Sequence, residues 1–306
     1  RGVDLVFAQD PVSTGLPAFL AALCMRKKFF LKIVGDYAWE QGTQRFGVTD
    51  NLDEFSKKET GYHSRVHTFK EIQRFVANHA DRVIVPSKYL KRIVENWGIS
   101  SEKIEVVYNG FTLEGDGGNR STLRGLLRFD GKLIISVGRL VPWKGFTTLI
   151  SLIPDLVKKM PDLKLFIIGS GPDERKLEML VEELGMQDHV ILAGSVDHDV
   201  LLRYMRASDA FVLNTNYEGF SHLLLEALAV GVPIVTTPVG GNTELIEHQK
   251  SGLLVPYDDK EKLLSSIEDI LKSPSVAAQL VRGGLAKVAE FSDDRMLKET
   301  LKVFNI

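Results

Sequence analysis

Short runs of β-branched and other apolar residues alternate along the chain with longer stretches in which apolar positions return every three or four residues. The runs at 4–8, 29–34, 82–85, 104–107, 132–137, 164–168, 190–193, 210–214 and 233–236 read as strands. Helical periodicity covers 68–78 and 87–96 early on, then 146–160, 174–183, 199–206, 221–229 and 260–271. A last helical stretch, 293–303, follows a Phe-Ser break. Most strand runs are apolar at consecutive positions, which implies cover on both faces. Such runs separated by helices are the mark of βαβ units and parallel sheets. Right-handed crossovers then place helices on both sides of each sheet. The predicted class is α/β with Rossmann-like sheets.

One stretch interrupts the alternation. Residues 109–131, NGFTLEGDGGNRSTLRGLLRFDG, carry glycine at 110, 115, 117, 118, 125 and 131 among polar neighbours, which is linker composition. The expected organisation is a first domain over 1–112 with four strands, a linker over 113–130 and a second domain over 131–290 with about six strands. The helix in 291–306 is free to dock on either domain, and packing back on the first is the reading carried forward. Two such domains facing one another make a cleft. Ligands of these sheets lie beyond the carboxyl ends of the strands, so the loops after the strands are where chemistry is expected.

Composition narrows the function. The 306 residues suit two domains of about 150 each. Thirty-eight basic against 40 acidic side chains give a formal charge of −2, which argues against nucleic acid as a partner. The single cysteine, Cys24, excludes an internal disulfide and a Cys-rich zinc site. No apolar run approaches the roughly 18 residues of a membrane span. A cytoplasmic protein is expected. The short basic run Arg26-Lys27-Lys28 reads as a solvated face, with peripheral contact at the inner membrane surface as the alternative. The chain opens RGVDLVFAQD, with no Met, no signal peptide and almost no polar lead-in. The expectation drawn from that is a fragment.

Two loops carry the candidate chemistry. After the run at 132–137 comes GRLVPWKGF, with Gly138, Arg139, Lys144 and Gly145. Two cations on a strand–helix turn, with glycines that let backbone come close, suit a diphosphate. The ordinary alternative is a pair of solvated surface cations. After the run at 210–214 comes TNYEGFSHLLLEALAVGVP. Gly219 frees the turn, Ser221 is a helix N-cap candidate, and the first N–H groups of that helix make an anion site. Glu218 precedes this helix and Glu226 lies within it. Ionised carboxylates accept strongly from paired sugar or ribose hydroxyls. Glu226, among Leu223, Leu224, Leu225, Ala227 and Leu228, needs a partner or a ligand to be stable there.

Other features are weaker. GSGP at 169–172 begins like a dinucleotide fingerprint, but Asp173 and Glu174 follow where a third glycine and a pyrophosphate would belong. Asp197-His198-Asp199 matches a metal-binding DxD in form, yet it precedes a helical pattern where Asp serves as an N-cap. No His, Asp, Glu or Cys grouping has metal-ligand spacing. His63, His67 and His79 read as surface residues.

GRLVPWKG, GSGP, EGFSHLLLEALAVGVPIV, PVGGNTELI and SGLLVP together resemble the carboxyl-terminal half of the family 4 retaining glycosyltransferases (glycosyltransferase group 1). The stretch at 80–111 is similar to the end of that family's amino-terminal domain. Glu218-x7-Glu226 matches the family's E-x7-E motif, and Arg139 and Lys144 match its diphosphate-binding cations. The resemblance implies the GT-B fold, no cofactor and no metal, and retention of anomeric configuration. It implies a nucleotide diphospho-sugar donor and a hydroxyl acceptor that is a glycan, a lipid-linked saccharide or another alcohol. Donor binding is then expected at Gly138, Arg139, Lys144, Gly171, Val196, Glu218, Gly219, Phe220, Ser221, His222, Leu223 and Glu226. Transfer is expected to rest on Arg139, Lys144, Glu218 and Asp36. Asp36 enters because the family's histidine after the strand at 29–34 is replaced here by Gly35-Asp36-Tyr37. The resemblance also implies that two leading βα units, of about 30 residues each, precede the stretch matching 4–8, leaving the first domain incomplete. The alternatives are a catalytically weak nucleotide-sugar-binding protein and a GT-B sugar-nucleotide epimerase.

Overall fold

The computed structural model describes residues 2–113, 119–127 and 129–305. These divide into two compact units, one of Arg1–Asn109, Tyr217–Phe220 and Asp293–Ile306, the other of Gly110–Asn216 and Ser221–Ser292. In the first, β1 (Leu5–Ala8), β2 (Lys28–Lys32), β3 (Arg82–Val85) and β4 (Ile104–Val106) form a parallel sheet in chain order. Its helices are α1 (Gly15–Met25), α2 (Tyr37–Arg45), α3 (Leu52–Lys57), α4 (Ser64–His79) and α5 (Lys88–Asn96). β1 is an edge strand, and Leu20, Leu23 and Met25 on α1 are exposed.

The second unit runs α6 (Arg120–Leu127), β5 (Leu133–Val137), α7 (Phe146–Ser151), α8 (Ile153–Lys159), β6 (Lys164–Ile168), α9 (Glu174–Glu183), β7 (Val190–Leu192) and α10 (His198–Ala207). It continues with β8 (Ala210–Leu213), α11 (His222–Val230), β9 (Ile234–Thr236), α12 (Asn242–Leu245), β10 (Leu253–Leu254), α13 (Lys260–Lys272) and α14 (Pro274–Val288). Its six strands are parallel and lie in the order β10-β9-β8-β5-β6-β7. β5 and β8 are buried at every position, which is why they read as unbroken apolar runs. Leu149, Ile153 and Leu156 pack with strand residues Ile134, Leu165, Ile167 and Val212 in the core of this unit. The last helix, α15 (Asp293–Phe304), belongs to the first unit, where Phe304 meets the rings of Phe7 and Phe30 at 5.1 and 4.7 Å.

Two expectations need correction. The span 113–130 is not all linker: Arg120–Leu127 is a helix, tied to the second unit by Arg120 and Arg124, which reach the Asp209 carboxylate at 2.7 and 3.2 Å. Residues 114–118 and 128 of that span lie outside the described residues. The helix expected over 146–160 is two helices, because Pro154 has no N–H to donate and its ring crowds the carbonyl of the preceding turn. Helices α1 and α14 are barely legible in the periodicity. α1 is apolar almost throughout, and α14 carries Gly283-Gly284, whose missing side chains admit the Lys250 carbonyl and the Leu228 side chain.

Candidate functional site

The order of the six-stranded sheet reverses between β5 and β8, so the loops leaving these two strands diverge at a topological switch point, the usual ligand position of such sheets. They are the two loops that carry the candidate residues. They also touch: Asn216 N–H donates to the Trp143 carbonyl at 2.8 Å, and Thr215 Oγ1 donates to it at 3.2 Å. The turn after Lys144 is pinned from the β8 side. Asn214 Nδ2 donates to Asp258 Oδ1 at 3.1 Å, which Thr148 Oγ1 also reaches at 2.7 Å.

Gly138 follows β5 at φ +153°, and a Cβ placed on it would lie 3.7 Å from Lys144 Cδ. The Lys144 stem therefore runs over Gly138, beside the exposed Arg139. The loops after β5, β6 and β7 are joined backbone to backbone. Gly138 N–H donates to Ile168 O, Leu140 N–H to Ser170 O, and Gly169 N–H to Gly194 O, at 3.0, 3.0 and 2.8 Å. This explains GSGP. Gly169 has φ +139°, and a Cβ there would strike the Gly138 carbonyl oxygen; one on Gly171 would strike the Leu140 backbone. These glycines serve close chain approach, and Gly171 is not among the residues that line the groove on these loops.

A groove of about 430 Å³ opens on these loops, within the size range of small-molecule sites. Gly138, Arg139, Gly169, Ser170, Ser195, Val196, Leu201 and Leu223 line it. The structure thus gathers Gly138, Arg139, Val196 and Leu223 around one space, with Lys144 against Gly138. Ser221 is the N-cap of α11, its hydroxyl accepting from Leu224 N–H at 3.4 Å, and His222 is the first helical residue. Glu226 follows Leu223 by three positions, on the same helix face. It is only 8% exposed. Oε1 lies 3.0 Å from His198 Nε2, while Oε2 is buried with no hydrogen-bond partner. Burial pushes the Glu226 carboxyl above its ordinary range, and the bond from His198 works against that rise.

His198, the middle residue of Asp197-His198-Asp199, belongs to the site through Glu226 and not through any motif. Asp197 is the N-cap residue of α10 by position, but its side chain makes no capping bond. The available signal was a histidine on the first turn of a helix next to the one bearing a buried carboxylate, and only the packing of α10 on α11 makes that visible. Among the described residues no group of three or more His, Cys, Asp or Glu is placed to hold a metal ion. None of their helices is long and apolar enough to cross a membrane.

The remaining candidates lie in the first unit. Gly219 is pressed on Val34 O and Leu90, where a Cβ would come within 2.6 and 2.7 Å, and its carbonyl accepts from Ser87 Oγ at 2.7 Å. The Phe220 ring packs 5.2 Å from that of Tyr108. Glu218, partly exposed, sits between Tyr217 and Gly219. Asp36 departs from its expected role: it is fully buried and caps α2. Oδ1 accepts from Trp39 N–H at 2.9 Å and Gln73 Nε2 at 3.2 Å, and Oδ2 accepts from Trp97 Nε1 at 3.1 Å. Its oxygens are engaged inside the unit, and burial pushes its carboxyl up. The acidic group nearer the surface there is Glu40, on the first turn of α2: a Cβ on Gly35 would lie 2.6 Å from Glu40 Oε1 and 2.9 Å from Tyr217 Oη.

Two parallel-sheet α/β units, one with a groove at its switch point, define a Rossmann-like class of protein. The chain belongs to the glycosyl transferases group 1: that family matches residues 124–286, and Glycosyltransferase Family 4 matches residues 1–114. An uncharacterized glycosyltransferase of Methanocaldococcus jannaschii is 31% identical over 234 residues, covering 74% of this chain and 60% of its own. The D-inositol 3-phosphate glycosyltransferase of Acidothermus cellulolyticus is 27% identical over 328 residues, covering 97% of this chain and 72% of its own. A solved structure of Anabaena HepE in complex with UDP superposes with TM-score 0.78 at 21% identity, covering 99% of this chain and 78% of that one. The fold is that of the GT-B glycosyltransferases. The chain spans 60% of the length of its Methanocaldococcus relative.

Proposed function

We propose that this glycosyltransferase moves a hexosyl unit from a nucleotide diphospho-sugar to a saccharide, lipid or other hydroxyl acceptor, with retention and without a metal. The observation that carries the reading is Glu226, a buried carboxylate with one oxygen left unsatisfied. An orphaned acceptor in apolar surroundings costs stability, and a diol donating two hydroxyls would relieve it. In this reading Glu226 binds the nucleotide ribose, Arg139 and Lys144 meet the diphosphate, and the first turn of α11 adds backbone N–H groups. These positive groups also stabilise charge growing on the leaving phosphate, the task a metal performs in other transferases. Glu218 accepts from hydroxyls of the donor sugar. Asp36 is fully buried with both oxygens bonded inside its unit, so its part is to hold the loop after β2. The leaving phosphate takes the acceptor proton on the same face as it departs, and no side-chain nucleophile is needed.

The test is product analysis with labelled UDP- and GDP-sugars against saccharide and lipid-linked acceptors, with the anomer assigned by NMR. Retained configuration and activity unchanged by excess chelator are expected. Inverted product, or activity lost to chelator and restored by Mg²⁺ or Mn²⁺, overturns the corresponding part.

A further inference from the structure

A glutamate carboxylate turns about its last side-chain torsion, which is broad and roughly two-fold. Where such a group must present one chosen oxygen, something has to hold the other. At Glu226 that something is visible. When Glu226 is ionised it can only accept, so across the 3.0 Å contact between Oε1 and His198 Nε2 the imidazole N–H is then the donor. His198 opens α10, which packs on α11, so the donor is fixed by a second helix and not by the one that carries the acceptor. The Phe111 ring stands edge-on to the imidazole with centroids 6.3 Å apart. The imidazole side chain is 55% exposed, whereas the Glu226 side chain is 11% exposed. Oε2, on the far side of the carboxylate from this bond, is the buried atom without a partner.

We propose that His198 is a positioning residue for nucleotide recognition: by holding Oε1 of Glu226 it turns Oε2 toward the vicinal hydroxyls of the donor nucleotide. The proposal rests on the reading of Glu226 as the ribose contact. His198 acts through the glutamate, so its effect is confined to ligands that carry those hydroxyls.

That restriction supplies the test. The full chain, with variants His198→Phe, His198→Gln and Glu226→Gln, is titrated by calorimetry with UDP and GDP and with their 2′,3′-dideoxy counterparts. The unmodified protein is expected to prefer the ribonucleotide by about tenfold or more, the scale of hydrogen bonds to a charged group. His198→Phe keeps a ring but has no donor. It should reduce that preference to within about twofold, the scale left when such a bond is lost, with dideoxynucleotide affinity unchanged. His198→Gln, whose amide can donate to Oε1, should recover most of the preference, and melting curves verify that each variant folds. If His198→Phe keeps the full preference while Glu226→Gln loses it, the proposal falls and the reading of Glu226 stands. Equal loss of affinity for ribo- and dideoxynucleotides in His198→Phe also overturns it, since that marks a general structural role. If Glu226→Gln keeps the full preference, or the unmodified protein binds none of these ligands, the reading of Glu226 fails and the proposal goes with it.

Discussion

Asp36 and Glu226 are both buried carboxylates, and they use their oxygens differently. Asp36 accepts from three donors of its own unit, so exchanging one oxygen for an amide sets a donor against a donor. Asp36→Asn should cost about 1–3 kcal/mol in urea unfolding, the penalty of a stranded buried group. Glu226 has one hydrogen-bond partner among the described residues, His198, and a glutamine can still accept that bond. Its folded pKa is raised above the ordinary 4.5, so between the two values the folded state holds more protons than the unfolded one. Stability from this group therefore falls as pH rises from about 4.5 through the raised value, by linkage. Glu226→Gln removes that dependence. The variant should melt higher than the unmodified protein at neutral pH and equally at pH 4, while binding nucleotide more weakly. A lower melting temperature at pH 7 would contradict the burial argument. Arg139 is exposed and Lys144 partly so, and alanine at either should lower turnover by roughly a hundredfold with little change in melting temperature.

At the scale of elements, the groove depends on how closely three loops pass. Gly169 and Gly171 face backbone of the loop after β5, and Gly169 also has a positive φ. Gly169→Ala should destabilise by more than about 1 kcal/mol and displace Arg139 with its loop, so donor affinity and stability fall together. Gly125, on the described α6, has open space around its α-carbon, and alanine there should be neutral or slightly stabilising. Thermal melts of both variants check the contrast. The GSGP stretch is a local pattern with a non-local cause. Its disqualification as a dinucleotide fingerprint stands on Asp173 and Glu174, but the actual reason for the glycines, contact with Gly138 and Leu140, depends on β5 and β6 lying side by side.

At the scale of the whole molecule, the chain returns to its first unit at the end. Phe304 on α15 meets Phe7 and Phe30, and is itself half-buried. Phe304→Ala should cost about 2 kcal/mol, below the figure for a fully buried phenylalanine. Hydrogen exchange should speed up over residues 2–109 and stay unchanged over 119–216 and 221–288. Equal loss of protection in both regions would show that α15 is not specific to the first unit.

The class of the fold was legible because fully covered parallel strands are continuous apolar runs, as at 133–137 and 210–213, and here they alternate with helical stretches. Arg139, Lys144, Glu218 and Glu226 were legible as candidates because their residue types and spacing are local properties of two loops. Which of them meet was not. That β5 neighbours β8 across more than seventy residues of intervening chain is a matter of strand order, and it alone brings the two loops into contact. The same holds for acid groups. Sequence cannot distinguish a carboxylate with three internal donors from one with an oxygen that no donor reaches, because desolvation and partners are set by what packs around it. Asp36 and Glu226 became a structural residue and a ligand candidate only when Trp97, Gln73 and His198 arrived from elsewhere in the chain.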